Sequence, residues 1–373
     1  MTFSPARPSA PLTWLRLRLR VKGPTAARVL AGARVRAELL PVTPVAGLPL
    51  HRLLATWGAL LSVSADGHGV VAHVVTDTDR AQDVVDALAA ARSALAPAEL
   101  VEHAREQAAL AWRWERDDSE ALADLLADLA LHTPPSSWPD LHDDLVDAMA
   151  ADDPGEWSGE VTIAHVGPPG GSISLPEPVA QDRNGQSTVE SAEPARWRLD
   201  VVSDGSALVR MAWRTPRRDH PDFAALAVAA RVVGGHHRSR LTREFRNDRG
   251  WSYSPWALAR AGRDHGWWQV SVRVPERHVA ETVDRVRELV GGHAPDPAEH
   301  GAAVAHAATE IRRLWSSGES AASLLGYWQD LGLDVAAEKD RWLSALAATT
   351  PEDVTAAARR WLSGPPQLEV VLA

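Results

Sequence analysis

One local pattern occurs twice in the 373-residue sequence, about 197 residues apart. In each copy, a His-Gly pair precedes an apolar, strand-like stretch, and the periodicity of an amphipathic helix follows. The first copy comprises His68-Gly69, Gly69–Thr76 and a helix from Arg80, and the second comprises His265-Gly266, Gln269–Val274 and a helix from His278. This repeat indicates that one domain design is used twice.

Other segments extend the correspondence between the two halves. Leu15–Lys22 alternates leucine or valine with arginine or lysine, which predicts a half-buried strand with one basic face. The composition of Ala26–Leu40 then favours a helix. Ala207–Arg214 and Phe223–Val233 predict the same order of strand and helix in the second half. Each half closes with a helix and a short strand, and these strands are Val161–Val166 and Leu368–Leu372.

The predicted fold class is therefore α+β, with two homologous α/β-sandwich-type domains whose helices lie on one side of each sheet. A chain of 373 residues is long enough for roughly two cores. We place the first domain at residues 1–166 and the second at residues 196–373. Residues 167–195, which are rich in Gly, Pro, Ser and Gln, are predicted to form a linker.

Composition restricts the possible functions. The net charge of −10 argues against a general nucleic-acid-binding protein. No apolar run reaches the length of about 18 residues that suggests a membrane span. The N-terminal residues lack the apolar core of a signal peptide, so we expect a cytoplasmic location. The absence of cysteine excludes disulfides and zinc sites built on thiolates.

The charges are unevenly distributed along the chain. Asp117–Glu156 contains twelve acidic residues and no lysine or arginine, whereas Arg198–Arg249 contains eleven arginines and six acidic residues. Two interpretations stay open. Both spans can be solvated helix faces, or they can form a charged chamber or a docking surface for a partner.

The stretch Gly234–Pro255 is dense in arginine. Its pattern predicts a helix over about Ser239–Arg246, and Gly250 suits a left-handed turn at its end. Arg246 then lies at the end of the helix and Tyr253 beyond a sharp turn. The two side chains are therefore placed to point into one space.

This stretch resembles the C-terminal half of the pitrilysin/insulinase family of zinc metallopeptidases, the inverzincins. The family pattern is close to G-G…S-R-L…(E)-x-R-x-x-x-G-x-x-Y, and its Arg–Tyr pair, which touches the substrate, falls on Arg246 and Tyr253. Trp251 departs from the pattern, since the family more often has leucine there. The matching positions are Gly234, Gly235, Ser239, Arg240, Leu241, Glu244, Arg246, Gly250 and Tyr253.

A catalytic half of this family carries H-x-x-E-H on the helix after its first strand, where two histidines grip zinc and the glutamate activates water. The corresponding segment in this chain is Ala26–Leu40, which contains no histidine. It offers Glu38 among three arginines, whose charge opposes a divalent cation. We therefore expect no metal site and no cofactor in this chain. The three arginines are Arg28, Arg34 and Arg36.

Three histidine-containing segments have simpler explanations than metal binding. The Glu-His pairs at Glu102-His103 and Glu299-His300 lack the first histidine of the motif. Glu99 and Asp296, which stand in its place, lie where helices begin, a position that favours acidic side chains. His236-His237 are adjacent, so their side chains point apart.

The resemblance implies a non-catalytic subunit of a heterodimeric zinc metallopeptidase. It implies one half of a clamshell that closes around a peptide, with zinc in a homologous partner subunit that carries H-x-x-E-H. Arg246 would bind a substrate carbonyl, and Tyr253 would bind the substrate and donate to the oxyanion. Small peptides or leader peptides are the expected substrates.

Two alternatives stay open. The chain can be a catalytically inert structural or binding homologue, like the core subunits of respiratory complexes, although a scaffold has no need of an Arg–Tyr pair. An independent hydrolase is disfavoured by the missing zinc ligands. The sequence also lacks the motifs of a serine hydrolase, a phosphate loop and a dinucleotide-binding turn.

Overall fold

The structure is a computed structural model that describes residues 2–3, 12–23, 25–67, 69–132, 145–150, 156–167, 173, 195–199, 205–291 and 294–373. The predicted linker 167–195 lies almost wholly outside these residues. His68 of the first His-Gly pair and part of the acidic span Asp117–Glu156 also lie outside them.

The chain divides into two units, and each contains a segment from the other half of the sequence. Unit 1 comprises Met1–Arg113, Pro135–Gly185 and Leu314–Ala336, and unit 2 comprises Trp114–Pro134, Gln186–Arg313 and Ala337–Ala373. Nothing in the sequence pattern reveals that residues 314–336 group with unit 1, or that residues 114–134 group with unit 2.

Each unit contains a five-stranded sheet. In unit 1 the strand order is β1-β7-β2-β6-β5, and in unit 2 it is β10-β11-β9-β12-β8. The strands of unit 1 are β1 (Thr2–Phe3), β2 (Leu12–Lys22), β5 (Leu60–Asp66), β6 (Gly69–Asp77) and β7 (Glu156–Val166). The strands of unit 2 are β8 (Ala195–Leu199), β9 (Ser206–Thr215), β10 (Trp256–Ala261), β11 (Gly266–Pro275) and β12 (Leu368–Leu372). A two-stranded ribbon, β3 (Pro44–Val45) and β4 (Leu48–Pro49), completes the set among the described residues.

The two sheets have the same topology. The central strand of each, β2 or β9, pairs antiparallel with both neighbours, and one edge strand, β1 or β8, pairs parallel with the adjacent closing strand. The opposite edge is a hairpin, β5-β6 or β10-β11. The repeat seen in the sequence is thus present in the strand order, and the chain has a mixed helix and sheet fold.

The helices follow the strands in a corresponding order. The first half contributes α1 (Ala26–Val42), α2 (Leu50–Thr56), α3 (Ala81–Ser93), α4 (Ala98–Asp117) and α5 (Ser119–His132). Residues 145–150 are also helical. The second half contributes α6 (Asp222–Gly234), α7 (Val279–Val290), α8 (Pro297–Ser316), α9 (Gly318–Asp330), α10 (Val335–Ala348) and α11 (Pro351–Leu362). None of the helices described is both long and apolar enough to cross a membrane.

One hydrophobic core of unit 1 lies on one face of its sheet, and α9 packs against β7 in a second core on the other face. The leucines of β2 alternate inward and pack with buried residues of α1 and α3, such as Leu40 and Leu88. This period of two is the one that the sequence pattern of β2 predicts. The leucines are Leu15, Leu17 and Leu19.

The opposite face of β2 is also buried, which corrects the prediction of an exposed basic face. Arg16 and Arg18 are 6 % and 7 % exposed. Helix α9 covers them, and Asp330 at its end accepts a hydrogen bond from Arg16 at 2.9 Å and from Arg18 at 2.7 Å. Arg18 also donates to both oxygens of Asp66. The prediction was wrong because α9, which comes from the other half of the sequence, packs on this face, so helices cover both faces of this sheet and not one side only.

Two glycines of α9 allow this close approach. A Cβ atom at Gly318 would collide with the indole of Trp14, and one at Gly326 would collide with the guanidinium of Arg16. Helix α9 therefore rests directly on the side chains of β2.

Unit 2 repeats the arrangement with an arginine on its own central strand. The side chain of Arg210 on β9 is fully buried. It donates to Glu120 at 2.8 Å and to Asp124, both on α5, and its guanidinium lies 4.6 Å from the ring centre of Trp256. In both units, then, a helix from the other half of the sequence supplies the carboxylates for a buried guanidinium.

We expect Asp330→Asn to lower the free energy of unfolding by about 2–4 kcal/mol, because two buried guanidinium groups lose a shared counter-ion. Urea unfolding followed by tryptophan fluorescence measures this change. The control is Asp83→Asn, which breaks an exposed pair with Arg80 and should change stability by less than about 0.5 kcal/mol. Equal stability of the two variants would contradict the account.

Candidate functional site

The arginine-rich stretch Gly234–Pro255 begins where α6 ends and leads into the edge strand β10. Leu241 and Phe245 are fully buried, as their spacing predicts. Gly234 lies so close to the backbone of Trp256 that a Cβ atom would collide with it. These contacts fix the stretch to the edge of the sheet in unit 2.

The predicted helix over Ser239–Arg246 differs in type and in length. A π-helix occupies Thr242–Asp248, and the amide of Arg249 donates to the carbonyl of Glu244 five residues earlier at 3.3 Å. Single π-helical turns are rare and occur frequently at functional sites. The π-helix, whose turns are wider than those of an α-helix, continues beyond Arg246 to Asp248, and the chain direction changes after it.

The turn after the π-helix is closed by one carbonyl. Phe245 accepts hydrogen bonds from the amides of Trp251 at 2.8 Å and Ser252 at 3.0 Å. Gly250 has a φ of +66°, the left-handed conformation that its position predicts. Arg246 directly follows Phe245, and Tyr253 directly follows Ser252. These hydrogen bonds therefore bring the backbones of Arg246 and Tyr253 close together.

The turn brings Arg246 and Tyr253 together. The central carbon of the Arg246 guanidinium lies 4.4 Å from the centre of the Tyr253 ring. Both side chains face solvent, and Tyr253 is 78 % exposed. A guanidinium stacked on the face of a ring keeps its N–H groups free for other partners.

Arg246 combines its stacking on Tyr253 with a lack of ion pairs to the described residues. Arg240 and Arg243 both bind Glu299, at 2.7 and 2.8 Å. Arg238 and Arg246 form no ion pair with any residue in the described parts of the chain. Arg246 therefore keeps its planar fork of donors available for a ligand.

Arg249 is held by carboxylates. It donates to Glu244 at 2.7 Å and also to Glu281 on α7, and Arg285 of the same helix donates to the second oxygen of Glu244 at 3.0 Å. The hydrogen bond from Arg285 holds the pKa of Glu244 below its ordinary value, although burial acts in the opposite direction. Glu244 is therefore ionised at neutral pH and binds both arginines.

Trp251, which departs from the family pattern, is built into this network. Its indole stacks on the imidazole of His278, with ring centres 3.8 Å apart and planes inclined by 9°. The guanidinium of Arg249 lies 4.5 Å from the same ring. The sequence identified Trp251 as a departure but gave no signal for its contact with His278.

The Glu-His pairs have the structural roles that the sequence favours. Asp296 accepts hydrogen bonds from the amides of Ala298 at 2.8 Å and Glu299 at 2.7 Å, so it caps the start of α8. Glu299 is occupied by Arg240 and Arg243. Burial raises its pKa, but these hydrogen bonds outweigh that effect and leave the pKa lowered. Glu99 lies in the first turn of α4.

The rings of His236 and His237 lie edge to face, which corrects the prediction that these adjacent side chains point apart. Their ring centres are 6.1 Å from each other at an angle of 71°, and Nδ1 of His236 accepts from the amide of Arg238 at 3.1 Å. Within the described parts of the chain, no group of three His, Asp or Glu side chains is placed to hold a metal ion.

Helix α1, where the zinc motif would lie, carries arginines that stack on tryptophans. The guanidinium of Arg34 lies 5.5 Å from the ring centre of Trp112, and that of Arg36 lies 4.5 Å from Trp157. These residues do not fit a zinc ion, because they are cations and supply no ligand atom.

Comparison with known proteins agrees with this architecture. Residues 174–296 match the sequence profile of the family described as the Peptidase M16 inactive domain. No curated protein sequence is similar enough to the chain to count as a match. The M16 match covers the arginine-rich stretch and both Arg246 and Tyr253.

Solved structures share the fold over the whole chain. The peptidase M16 inactive domain from Pseudomonas fluorescens has a TM-score of 0.72 at 17% identity and covers 100% of this chain and 94% of its own. A protease from Helicobacter pylori has a TM-score of 0.78 at 12% identity, with coverage of 100% and 96%. A chain of complex III2 from Candida albicans has a TM-score of 0.70 at 13% identity, with coverage of 100% and 92%.

The family match covers residues 174–296, and the solved structures show that the whole chain shares their fold. The roles of Arg246 and Tyr253 stay predictions, since fold similarity alone does not test them.

The contact between Arg246 and Tyr253 is open to a direct test, because the chain contains two tyrosines. In protein labelled with 3-fluorotyrosine, each gives one ¹⁹F resonance, and Tyr327→Phe assigns them. Arg246→Ala should shift the Tyr253 resonance by removing the cation above the ring. Arg238→Ala removes another exposed arginine of the same stretch and should leave it unchanged. Equal spectra for the two alanine variants would show that the stack does not form.

Proposed function

We propose that the chain is the non-catalytic subunit of a two-chain zinc metallopeptidase and supplies Arg246 and Tyr253 to a peptide substrate. The observation that carries this proposal is the exposed pair itself. A guanidinium without an ion pair to the described residues stacks at 4.4 Å on an exposed phenol, within the region that matches the M16 inactive domain.

The two side chains suit different tasks. The guanidinium of Arg246 presents parallel N–H donors, which fit the carbonyl oxygen of an extended peptide. The hydroxyl of Tyr253 is a single donor, which can bind the oxyanion that forms when the scissile carbonyl becomes tetrahedral. Zinc and the attacking water come from the partner, because α1 of this chain lacks the histidines of the zinc motif.

The partner that fits is a homologous subunit with H-x-x-E-H. In this proposal residues 1–166 and 196–373 form two homologous domains, which make one half of a clamshell, and the partner makes the other half. The substrate class is a peptide, such as a leader peptide removed during maturation, and the expected compartment is the cytoplasm.

The second candidate is a catalytically inert scaffold. It is supported by the match to an inactive domain and by the fold shared with a chain of complex III2. A purely structural role does not explain why the exposed Tyr253 stacks on Arg246, which forms no ion pair with the described residues. Kinetics of the assembled pair separate the two candidates.

Tyr253→Phe should lower kcat of the reconstituted pair by roughly 10²–10³, as loss of one oxyanion donor does in other enzymes. Its effect on KM should be small, because the hydroxyl acts mainly in the transition state. Arg246→Ala should raise KM as well as lower kcat, since the substrate carbonyl is present before reaction. Arg246→Lys should rescue only in part, because an ammonium lacks the planar fork. Steady-state kinetics on purified complexes measure these changes.

Arg238→Ala is the matched control, because Arg238 is exposed in the same stretch and also forms no ion pair with the described residues. Its kinetics should equal those of the unmodified pair. Unchanged turnover in both the Tyr253 and the Arg246 variants would leave the scaffold as the function.

A further inference from the structure

Trp251 occupies the turn between Arg246 and Tyr253, and its side chain makes contacts that the turn itself does not need. The indole lies on His278 at 3.8 Å with nearly parallel planes, and the guanidinium of Arg249 lies 4.5 Å from it. Stacking and cation–π contacts of this kind both stabilise the indole against its neighbours. They also fix the orientation of the ring, which a leucine cannot do.

The groups that hold Trp251 are themselves anchored to one helix. His278 lies directly before α7, Glu281 binds Arg249 from its first turn, and Arg285 lies one turn further on. Arg285 donates to Glu244, which in turn binds Arg249. The turn is thus attached to the start of α7 by one stacked ring pair and two ion-paired carboxylates.

Tyr253 depends on this attachment for its position. Its ring is 78 % exposed, and no hydrogen bond or ion pair from the described residues holds its hydroxyl. Its contact is with Arg246, which is exposed as well. Two exposed side chains cannot fix each other, so their direction is set by the backbone of the turn.

We propose that Trp251 is a positioning residue, which sets the direction of Tyr253 and Arg246 through its contacts with His278 and Arg249. The expected effect on kcat rests on the proposed function. The effect on the direction of the Arg246 and Tyr253 side chains does not depend on it. Small errors in the placement of a catalytic group reduce rates strongly, and a displacement of about 1 Å can cost roughly 10²-fold. A tryptophan at this position therefore adjusts the turnover of the pair without touching the substrate.

The first test does not require activity. In the 3-fluorotyrosine protein, Trp251→Leu should broaden or shift the Tyr253 resonance, because the ring stack is lost while apolar volume is kept. Trp251→Phe retains a flat ring over His278 and should keep the resonance near its original position. Trp114→Leu replaces a tryptophan that is 74 % exposed and should have no effect. Circular dichroism and the Tm establish that each variant is folded.

The second test uses the complete pair with its partner. Trp251→Leu should lower kcat about tenfold with little change in KM, and Trp251→Phe should restore most of the loss. In a Tyr253→Phe background the same Trp251→Leu change should have almost no further effect on kcat, because a positioning residue acts through the group it positions.

The outcomes separate this inference from the proposed function. If Trp251→Leu is folded and leaves the Tyr253 resonance unchanged, Trp251 does not position Tyr253. Equal losses of kcat with and without the Tyr253 hydroxyl would also overturn the inference, because the effect would be general. If instead the resonance shifts but Tyr253→Phe retains full turnover, positioning holds and the proposed function fails.

Discussion

The fold depends on buried guanidinium groups at the centre of each sheet. Arg210 on β9 is fully buried, and Arg16 and Arg18 on β2 are nearly so. An unpaired charge in such a place costs several kcal/mol, so each strand needs carboxylates on the helix above it. In both units that helix comes from the other half of the sequence. Neither unit is therefore complete without a segment from the other half of the sequence, since Asp330 lies 312 residues from Arg18 and Glu120 lies 90 residues from Arg210.

The site follows from this framework in unit 2. The central strand β9 supports β11, which supports the edge strand β10. The arginine-rich stretch enters β10, and α7 follows β11, so the strands bring the turn and the helix start together. Carboxylates then occupy Arg240, Arg243 and Arg249, and Arg246 is left stacked on Tyr253. The ion pairs leave Arg238 and Arg246 without a carboxylate partner among the described residues, and of these two it is Arg246 that stacks on Tyr253.

Local patterns predicted much of the fold. The strand at Leu368–Leu372 and the positive φ of Gly250 follow from neighbours within a few residues. The burial of Arg18 was missed because its counter-ion Asp330 is 312 residues away. The π-helix was missed because a shift from four to five residues leaves no mark on composition. The stack of Trp251 on His278 was missed because these two residues are also distant in the sequence.

The central claim is that this chain completes a peptidase only together with a homologous subunit that carries H-x-x-E-H. Sedimentation velocity of the two purified proteins, alone and mixed at micromolar concentrations, combined with a peptidase assay on the same samples, tests it most directly. The account predicts a one-to-one complex and peptide cleavage in the mixture only. Independent sedimentation of the two chains with no gain in activity would contradict it.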